Sequence, residues 1–290
     1  ICGRAGKGFV PSDSSKHGFL PLFVQPKSNY GPDGETNAFV AKLDPNGELL
    51  WASYFAASGG VNDYCNVVRD LDISKTGEIF IATSYNGGAY PSVIKDILLN
   101  APKGGTENSS WMASQWDSMV AKISTDGKVV HWARFVGGSG TESIGNSIRR
   151  DSTGALYLST YSDSTDAATS GSFDSSHNGN KDFLLSKLSP TGDLLWSTYI
   201  GGSGEELGET HGLFLDHDEN PLVMALTNSP DFPVTPGAYQ TAYGGGSYDL
   251  FLSRISPDGS KLMASTYIGG KDLEHAEGFG VDTQGRIYIG

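Results

Sequence analysis

Acidic side chains recur in the glycine-rich segments of this 290-residue sequence, and carboxylates in such segments can bind metal ions. If they face a common opening, their oxygens could hold Ca²⁺, a hard cation that takes several oxygen ligands. The alternative is an acidic rim that contacts only water, and on that basis we expect no cofactor. The carboxylates concerned are Asp63, Glu142, Glu205, Glu206, Asp272 and Glu274.

A histidine beside a carboxylate is a second arrangement that could support catalysis, because such a pair can act as general acid and general base. The pairs are His211 with Glu209, and His275 with Glu274 and Glu277. Both histidines stand near the start of equivalent strands, so structural repetition explains them without catalysis. The sequence holds no HExxH, GxSxG or GxGxxG motif, and the segment 216–220 is typical of a polar hairpin turn rather than a calcium loop. We expect no enzyme.

The charge balance excludes a nucleic-acid partner. Lys and Arg number 20 and Asp and Glu 33, a formal net charge of -13, whereas binding a phosphate backbone requires clusters of Lys and Arg. No stretch approaches the roughly 18 uninterrupted apolar residues of a spanning helix, so we expect no direct membrane insertion. Cys2 and Cys65 form no metal spacing and no disulfide framework. They are interpreted as small buried hydrophobes, with a single bridge as the alternative.

An internal repeat dominates the sequence. Its clearest part is a glycine-turn hairpin: an alternating strand, a glycine turn and an aromatic strand. A second hairpin follows each copy, with a polar turn that holds Asp and Gly or Asn, and a strand in which apolar and polar residues alternate. The copies of the first hairpin are NAFVAKLDPNGELLWASYF from Asn37, DSMVAKISTDGKVVHWARF from Asp117, DFLLSKLSPTGDLLWSTYI from Asp182 and DLFLSRISPDGSKLMASTYI from Asp249.

Two hairpins per repeat predict four strands. The turn glycines Gly47, Gly127, Gly192 and Gly259 are spaced by 80, 65 and 67 residues. Repeats of this length without helical periodicity favour an all-β fold, a β-propeller of four-stranded antiparallel blades. About four repeat lengths are present, either as a four-bladed ring or as part of a larger propeller. A β-sandwich is the alternative, but it does not predict regular repetition of the same pair of hairpins.

The repeats resemble the bacterial β-propeller family known as SBBP repeats. The resemblance covers essentially the whole chain and is carried most fully by GGSGEELGETHGLFLDHDENPLVMALTNSPDFPVTPGAYQTAYGGGSYDLFLSRISPDGSKLMASTYIGG, residues 201–270. The segment before Asn37 and the loop 87–116 depart from the pattern in length and content. The resemblance implies a propeller in a secreted or cell-surface protein, and it implies no catalytic residues.

The strand order of related repeats implies that the second hairpin supplies the inner strands of a blade and the glycine-turn hairpin the outer ones. With that strand order the chain starts and ends within inner hairpins, so we expect it to be part of a larger polypeptide. The expected divisions are an incomplete blade over 1–55, blades over 56–136, 137–200 and 201–268, and the inner hairpin of a further or closing blade over 269–290.

Connections in an antiparallel sheet alternate between its two ends, so the tight turns share one face and the long connections the other. We call the second the long-loop face, formed by the links between blades and by the loops 7–36, 87–116, 162–181 and 228–248. Loops on a rigid scaffold commonly carry binding residues.

The most unusual of these loops contains Tyr90, Trp111 and Trp116, which could stack on a sugar or anchor a protein. The alternative is that these aromatics fix the loop to its own blade. Trp51, Trp132 and Trp196 share one repeat position, which predicts packing between blades.

We therefore expect a non-enzymatic binding or scaffolding module, extracellular or on the bacterial surface, that engages a protein or glycan through the long-loop face. Two alternatives stay open. One is a polysaccharide hydrolase or lyase with its site at a channel mouth. The other is a structural spacer in a large adhesin.

Overall fold

In the computed structural model, the described residues are 1–5, 37–55, 68–85, 117–207, 212–276 and 278–290. They form short antiparallel strands, and no helix occurs in these ranges. The strands fall into two compact units, an N-terminal unit up to Phe135 and a C-terminal unit from Val136 to Gly290. The predicted all-β class is confirmed.

The N-terminal unit holds a three-stranded and a four-stranded sheet, each with its strands side by side in chain order. The first contains β1 (Cys2–Ala5), β2 (Asn37–Leu43) and β3 (Leu49–Phe55). The second contains β4 (Val68–Ile73), β5 (Ile79–Tyr85), β6 (Asp117–Ile123) and β7 (Val130–Val136).

The C-terminal unit repeats this arrangement. One sheet contains β8 (Glu142–Arg150), β9 (Leu156–Ser162), β10 (Asp182–Leu188) and β11 (Leu194–Ile200). The next contains β12 (Glu206–Leu207), β13 (Leu213–Leu215), β14 (Pro221–Thr227), β15 (Asp249–Ile255) and β16 (Leu262–Ile268). Both β12 and β13 pair with β14, and β17 (Phe279–Val281) pairs with β18 (Ile287–Ile289). The two predicted hairpins of a repeat thus form one antiparallel four-stranded sheet.

The segment 216–220 forms the polar hairpin turn that its composition predicts. Asp216 Oδ1 accepts hydrogen bonds from the backbone N–H groups of Asp218 and Asn220, each 2.9 Å long. Glu219 adopts a φ of 61°, in the left-handed region that costs a side chain about 1–2 kcal/mol. Its Oε1 accepts a hydrogen bond from Ser152 N at 2.6 Å, so this turn also joins its sheet to the preceding one.

The two sheets of the C-terminal unit share an aromatic core. Tyr157 and Phe183 from one sheet and Phe251 and Tyr267 from the other belong to a single buried cluster. The rings of Phe183 and Phe251 meet edge to face with their centroids 5.6 Å apart, a geometry that aromatic quadrupoles favour. Strands β9 and β14 are buried along their whole length, because both of their faces are covered.

Tryptophan against glycine is the recurring contact between successive sheets. The predicted packing residues are buried, namely Trp51, Trp132 and Trp196. Trp196 on β11 lies against Gly259 in the turn between β15 and β16, where a Cβ would overlap the indole ring. In the N-terminal unit Trp51 lies against Gly127, where a Cβ would be 2.9 Å from three ring carbons. The prediction of packing between sheets is therefore confirmed for Trp51 and Trp196.

Replacing Gly259 with alanine should destabilise the C-terminal unit more than the same change at Gly237. Both glycines have positive φ, +73° and +82°, so both variants carry the left-handed backbone cost of about 1–2 kcal/mol. Only at Gly259 does the added Cβ enter the Trp196 ring, which adds about 1–3 kcal/mol of overpacking. Urea unfolding of both variants measures the difference, and equal losses would contradict the close contact between Trp196 and Gly259.

Candidate functional site

The predicted binding anchors Tyr90, Trp111 and Trp116 lie outside the described residues, so their role stays a prediction. The other predicted positions outside those ranges are Asp63, Cys65, Glu209, His211 and Glu277. His275 lies at the surface. Cys2 is a free, partly exposed cysteine, and burial raises the pKa of its thiol to about 11.

A tyrosine hydroxyl fixes each described loop of the long-loop face to its own sheet. In the loop 228–248, Tyr267 Oη donates to Ser229 O at 2.7 Å and accepts a hydrogen bond from Phe232 N at 2.9 Å. Tyr199 makes the corresponding two bonds in the preceding sheet. Because the hydroxyl donates and accepts at once, it fixes two points of the loop backbone.

The same loops also cover the free edges of the last strands. Thr235 N donates to Ser265 O at 3.1 Å, and Tyr267 N donates to Gln240 O at 3.2 Å. Thr169 N donates to Ser197 O on β11 in the equivalent way, at 2.9 Å. Edge strands with open N–H and C=O groups tend to pair with other chains, so these bonds protect the sheet as well as ordering the loop.

Links between sheets are bonded to these loops through carboxylates. Asp231 Oδ1 accepts hydrogen bonds from the backbone N and the hydroxyl of Ser203, at 2.8 and 2.9 Å. Asp166 binds Ser139 in the same way, with a backbone bond of 2.7 Å. The long-loop end of the C-terminal unit is therefore a hydrogen-bonded surface in which loops and links support one another.

Two of the recurring carboxylates, Glu142 and Glu206, are 0% exposed. Glu206 Oε1 accepts hydrogen bonds from the hydroxyls of Thr227 and Ser229, both at 2.6 Å, and Oε2 accepts one from Gly202 N at 3.1 Å. The corresponding hydroxyl donors to Glu142 are those of Ser162 and Ser164. The interpretation of these residues as part of a solvated rim is therefore wrong, because their carboxylates lie inside the fold and are held by side chains of their own sheets.

At both junctions between sheets within the C-terminal unit, a glutamate of the link lies beside an aspartate of the preceding sheet. A Cβ on Gly201 would lie 2.5 Å from Glu206 Oε2 and 2.6 Å from Asp182 Oδ1. Glycine is required there because the two carboxyl groups occupy the space of a side chain. In the next repeat, burial and the neighbouring charge of Glu274 raise the pKa of Asp249, and one buried oxygen of each of these two carboxyl groups has no donor among the described residues.

Burial raises the pKa values of these carboxyl groups. It brings the pKa of Glu206 from 4.5 to about 7, and the charge of Asp182 adds to the increase. Burial also raises the pKa values of Glu142, Asp182 and Asp249. Two adjacent buried carboxyl groups do not readily ionise together. The pair of Glu206 and Asp182 can therefore hold a proton near neutral pH.

The remaining acidic residues are less enclosed. Glu205 Oε2 accepts a hydrogen bond from Tyr248 Oη at 2.9 Å, and Asp272 is exposed. Among the described residues, no group of three or more His, Cys, Asp or Glu side chains could hold a metal ion. The suggested Ca²⁺ site stays a prediction. No described segment forms a helix long and apolar enough to cross a bilayer.

A cleft of about 510 Å³ opens on the β14–β16 sheet of the C-terminal unit. It is lined by Leu252, Arg254, Ala264, Thr235, Tyr239 and Ile287, among others. Arg254 forms an ion pair with Asp216 and lies 3.7 Å from a carboxylate oxygen of Asp218. Tyr239 is 87% exposed. A cation beside an exposed aromatic ring suits a partner that presents carbonyl oxygens and apolar surface.

The sequence indicates Glu206 and Glu274 as recurring carboxylates but does not indicate the aspartates beside them, Asp182 and Asp249. Asp182 and Asp249 were interpreted only as the first residues of strands. A sequence pattern could have indicated these aspartates. The link GGSGEE at 201–206 is preceded by a strand that starts with Asp, and it is followed by Thr-x-Ser at 227–229. The link GGSGTE at 137–142 is likewise preceded by a strand that starts with Asp, at Asp117, and it is followed by Ser-x-Ser at 162–164.

Replacing Tyr267 with phenylalanine should loosen the loop 228–248. The change leaves Ser229 O and Phe232 N without the hydroxyl that they share, and an unsatisfied buried polar group costs about 1–3 kcal/mol. Amide hydrogen exchange should become faster at Phe232. Tyr239→Phe is the matched control, because its ring is 87% exposed, and a surface change of this kind stays within about 0.5 kcal/mol. Equal effects would contradict the anchoring role.

Glu206→Gln should remove part of the pH dependence of stability. The pKa of Glu206 is raised from 4.5 to about 7 on folding, so its stabilising effect is complete below pH 4.5 and is lost as the pH rises to about 7. That loss corresponds to roughly 3 kcal/mol. Urea unfolding between pH 4 and pH 8 should therefore show a shallower decline for the Gln variant, whereas Glu205→Gln should keep the wild-type slope. Parallel curves for all three proteins would contradict the shift.

Comparison with known proteins assigns no family. No family model matches the chain, and no curated protein matches it. Among solved structures, it is similar to a protein of unknown function from Dyadobacter fermentans DSM 18053, with 12% sequence identity and a TM-score of 0.47. That match covers 90% of this chain and 65% of the other, so the chain spans less than two thirds of that protein.

Proposed function

We propose that the four-stranded sheets are blades of a β-propeller. The support is the tryptophan–glycine contact, which occurs in each compact unit between one sheet and the next. When the same contact relates each sheet to its successor, every step applies a similar rotation, and repeated rotation produces a radial array. A sandwich of two stacked layers would not need the same contact at successive junctions. The resemblance to SBBP repeats supports the same arrangement.

The function that we propose is binding or scaffolding without catalysis, with a protein or glycan held on the long-loop face. The observation that carries this proposal is that hydrogen bonds hold the backbones of the described loops in place. Their backbones are held by Tyr199 and Tyr267 and by bonds to the last strands. A preorganised surface loses little conformational entropy on binding, and surface loops of this kind can vary in sequence without disturbing the sheets beneath them.

The chemistry of the carboxyl pairs also favours a non-enzymatic role. Glu206 has the raised pKa of a general acid, but its carboxyl group is 0% exposed and its oxygens are engaged by Thr227, Ser229 and Gly202. A general acid must come within hydrogen-bond distance of its substrate. The raised pKa of Glu206 is better explained by the packing of one sheet on the next.

The proposed setting is extracellular or on a bacterial surface, within a larger polypeptide. Its support is the SBBP resemblance together with the net charge of -13, which disfavours nucleic acid as a partner. Tyr90, Trp111 and Trp116 are the proposed anchors for the partner. Aromatic anchors at the centre of an interface commonly contribute about 2 kcal/mol or more each.

Trp111→Ala combined with Trp116→Ala tests the proposal. Capture of surface glycans on an array, and of purified surface proteins from the source cells, should fall at least tenfold, since anchors of about 2 kcal/mol are lost. The thermal midpoint should stay at the wild-type value if the two rings face the partner. Leu195→Ala is the matched control, because Leu195 is 53% exposed near the tight-turn end of β11 and its loss should leave capture unchanged.

Three outcomes would argue against the proposed function. A large drop in the thermal midpoint would assign the two tryptophans to packing of their own loop. Hydrolysis or eliminative cleavage of a polysaccharide by the wild-type chain would favour the enzymatic alternative. Absence of any captured partner, with the fold intact, would favour a structural spacer.

A further inference from the structure

Two loops of the long-loop face meet at one link of the C-terminal unit. The link, residues 201–206, connects the sheet of β8–β11 to the sheet of β12–β16. The preceding loop, residues 162–181, belongs to the first of these sheets, and the following loop, residues 228–248, belongs to the second. Any change in the position of the link therefore reaches both loops.

Hydrogen bonds attach the link to each loop separately. Asn180 N of the preceding loop donates to Gly204 O at 2.8 Å. Glu206 N donates to Lys181 O, also at 2.8 Å. On the other side, Gly204 N donates to the hydroxyl of Ser229 in the following loop at 2.9 Å. The link thus makes one set of bonds to each loop, and one set can open while the other stays closed.

The Glu206–Asp182 pair lies on the boundary between these two sets of bonds. The carboxyl group of Asp182 accepts hydrogen bonds from Asn178 N and Gly179 N of the preceding loop, at 2.8 and 3.2 Å. The carboxyl group of Glu206 belongs to the other side, because it accepts a hydrogen bond from the hydroxyl of Ser229 at 2.6 Å. Each carboxyl group is therefore fixed to one loop, and the two groups face each other across the junction.

The two carboxyl groups attract each other only while one of them carries a proton, because ionised carboxylates are acceptors alone. Oxygens of Glu206 and Asp182 lie 2.5 and 2.6 Å from the single point that a Cβ of Gly201 would occupy, and both residues are 0% exposed. With the proton retained, one group can donate to the other. With the proton lost, two like charges face each other away from water.

The surroundings of the pair are more acidic than basic. Burial raises the pKa of Asp182 more than the N–H of Asn178 and the charge of His177 lower it. Lys181 lies 4.0 Å from a carboxylate oxygen of Glu205. These surroundings favour retention of the proton over a second negative charge. The charged and titratable groups around the pair, among the described residues, are Asp174, His177, Lys181, Tyr199, Glu205, Asp231 and Tyr267.

We propose that the Glu206–Asp182 pair is a pH switch, which holds the link to the preceding loop while the pair is protonated and releases it when the proton is lost. The bonds made by Asn180 N and Glu206 N then open. The bonds to the following loop remain, because Glu206 keeps its hydroxyl donors. The consequence for binding rests on the proposed function: a partner that contacts both loops should be held in mildly acidic solution and released as the pH rises through about 7.

Amide hydrogen exchange of the wild-type chain, without any partner, tests the switch. Exchange is expressed as protection factors, which remove the intrinsic effect of pH on the exchange rate. Protection of Asn180 N–H should fall about tenfold from pH 6 to pH 8, because only about one tenth of the pairs retain the proton at pH 8. Glu205 N–H is the internal control. It donates to Asn228 Oδ1 at 2.7 Å, on the side of the following loop, and should keep its protection.

Glu206→Gln should fix the switch in its closed form, because the side-chain amide is uncharged and can donate to Asp182 as the shared proton does. Protection of Asn180 should then be the same at pH 6 and pH 8. Asp182→Asn also removes one charge of the pair, and it gives the same test if Glu206→Gln folds poorly. Glu205→Gln is the matched control, since this neighbouring carboxylate bonds to Tyr248 instead, and it should keep the wild-type response.

A wild-type pH response that persists in Glu206→Gln and Asp182→Asn would overturn the switch, and so would equal losses of protection at Asn180 and Glu205. Capture of a partner at pH 6 and pH 8 tests the regulation of binding. The wild-type affinity should fall about tenfold and that of Glu206→Gln should not. Equal capture at both pH values, with the switch open by exchange, would overturn the regulation. Absence of any captured partner would count against the proposed function alone, because exchange tests the switch without a partner.

Discussion

The contact between the flat indole of a tryptophan and a turn glycine, which has no side chain, holds successive sheets of this protein together. At Trp196 and Gly259 the ring occupies the space that a Cβ would need, so the sheets approach as closely as two backbones allow. Tryptophan buries a large apolar area, and a neighbouring lysine adds a bond to the turn carbonyl. Tryptophan, lysine and glycine occur together at the junctions of Trp51 with Gly127 and of Trp196 with Gly259. One sheet provides the tryptophan and the lysine, and the next provides the glycine turn.

The opposite end of each junction in the C-terminal unit is polar. At one junction the buried Glu206 accepts hydrogen bonds from two hydroxyls and adjoins the carboxyl group of Asp182, and at the next Glu274 adjoins Asp249. Buried charge is costly unless it is paired or neutralised, and these groups combine hydrogen bonds with a retained proton. The junction thus combines aromatic packing with a lysine near the tight turns, and carboxyl groups with raised pKa values near the long loops. Proton release should therefore loosen the long-loop end first.

The long-loop face is ordered by Tyr199 and Tyr267 and is proposed to bind a protein or glycan. Aromatic side chains outside the described residues would provide the anchors.

The sequence by itself determined the strands, the tight turns and the pairing of hairpins into sheets, because alternation and turn glycines act over a few residues. It also indicated that Trp51 and Trp196 pack between sheets, since they recur at one position. Only the tertiary structure decided that Glu142 and Glu206 are buried rather than solvated, and that Asp182 adjoins Glu206. The charge state of a carboxyl group depends on which side chains fold over it. For Glu206 these include Thr227 and Ser229, which lie 21 and 23 residues further along the chain.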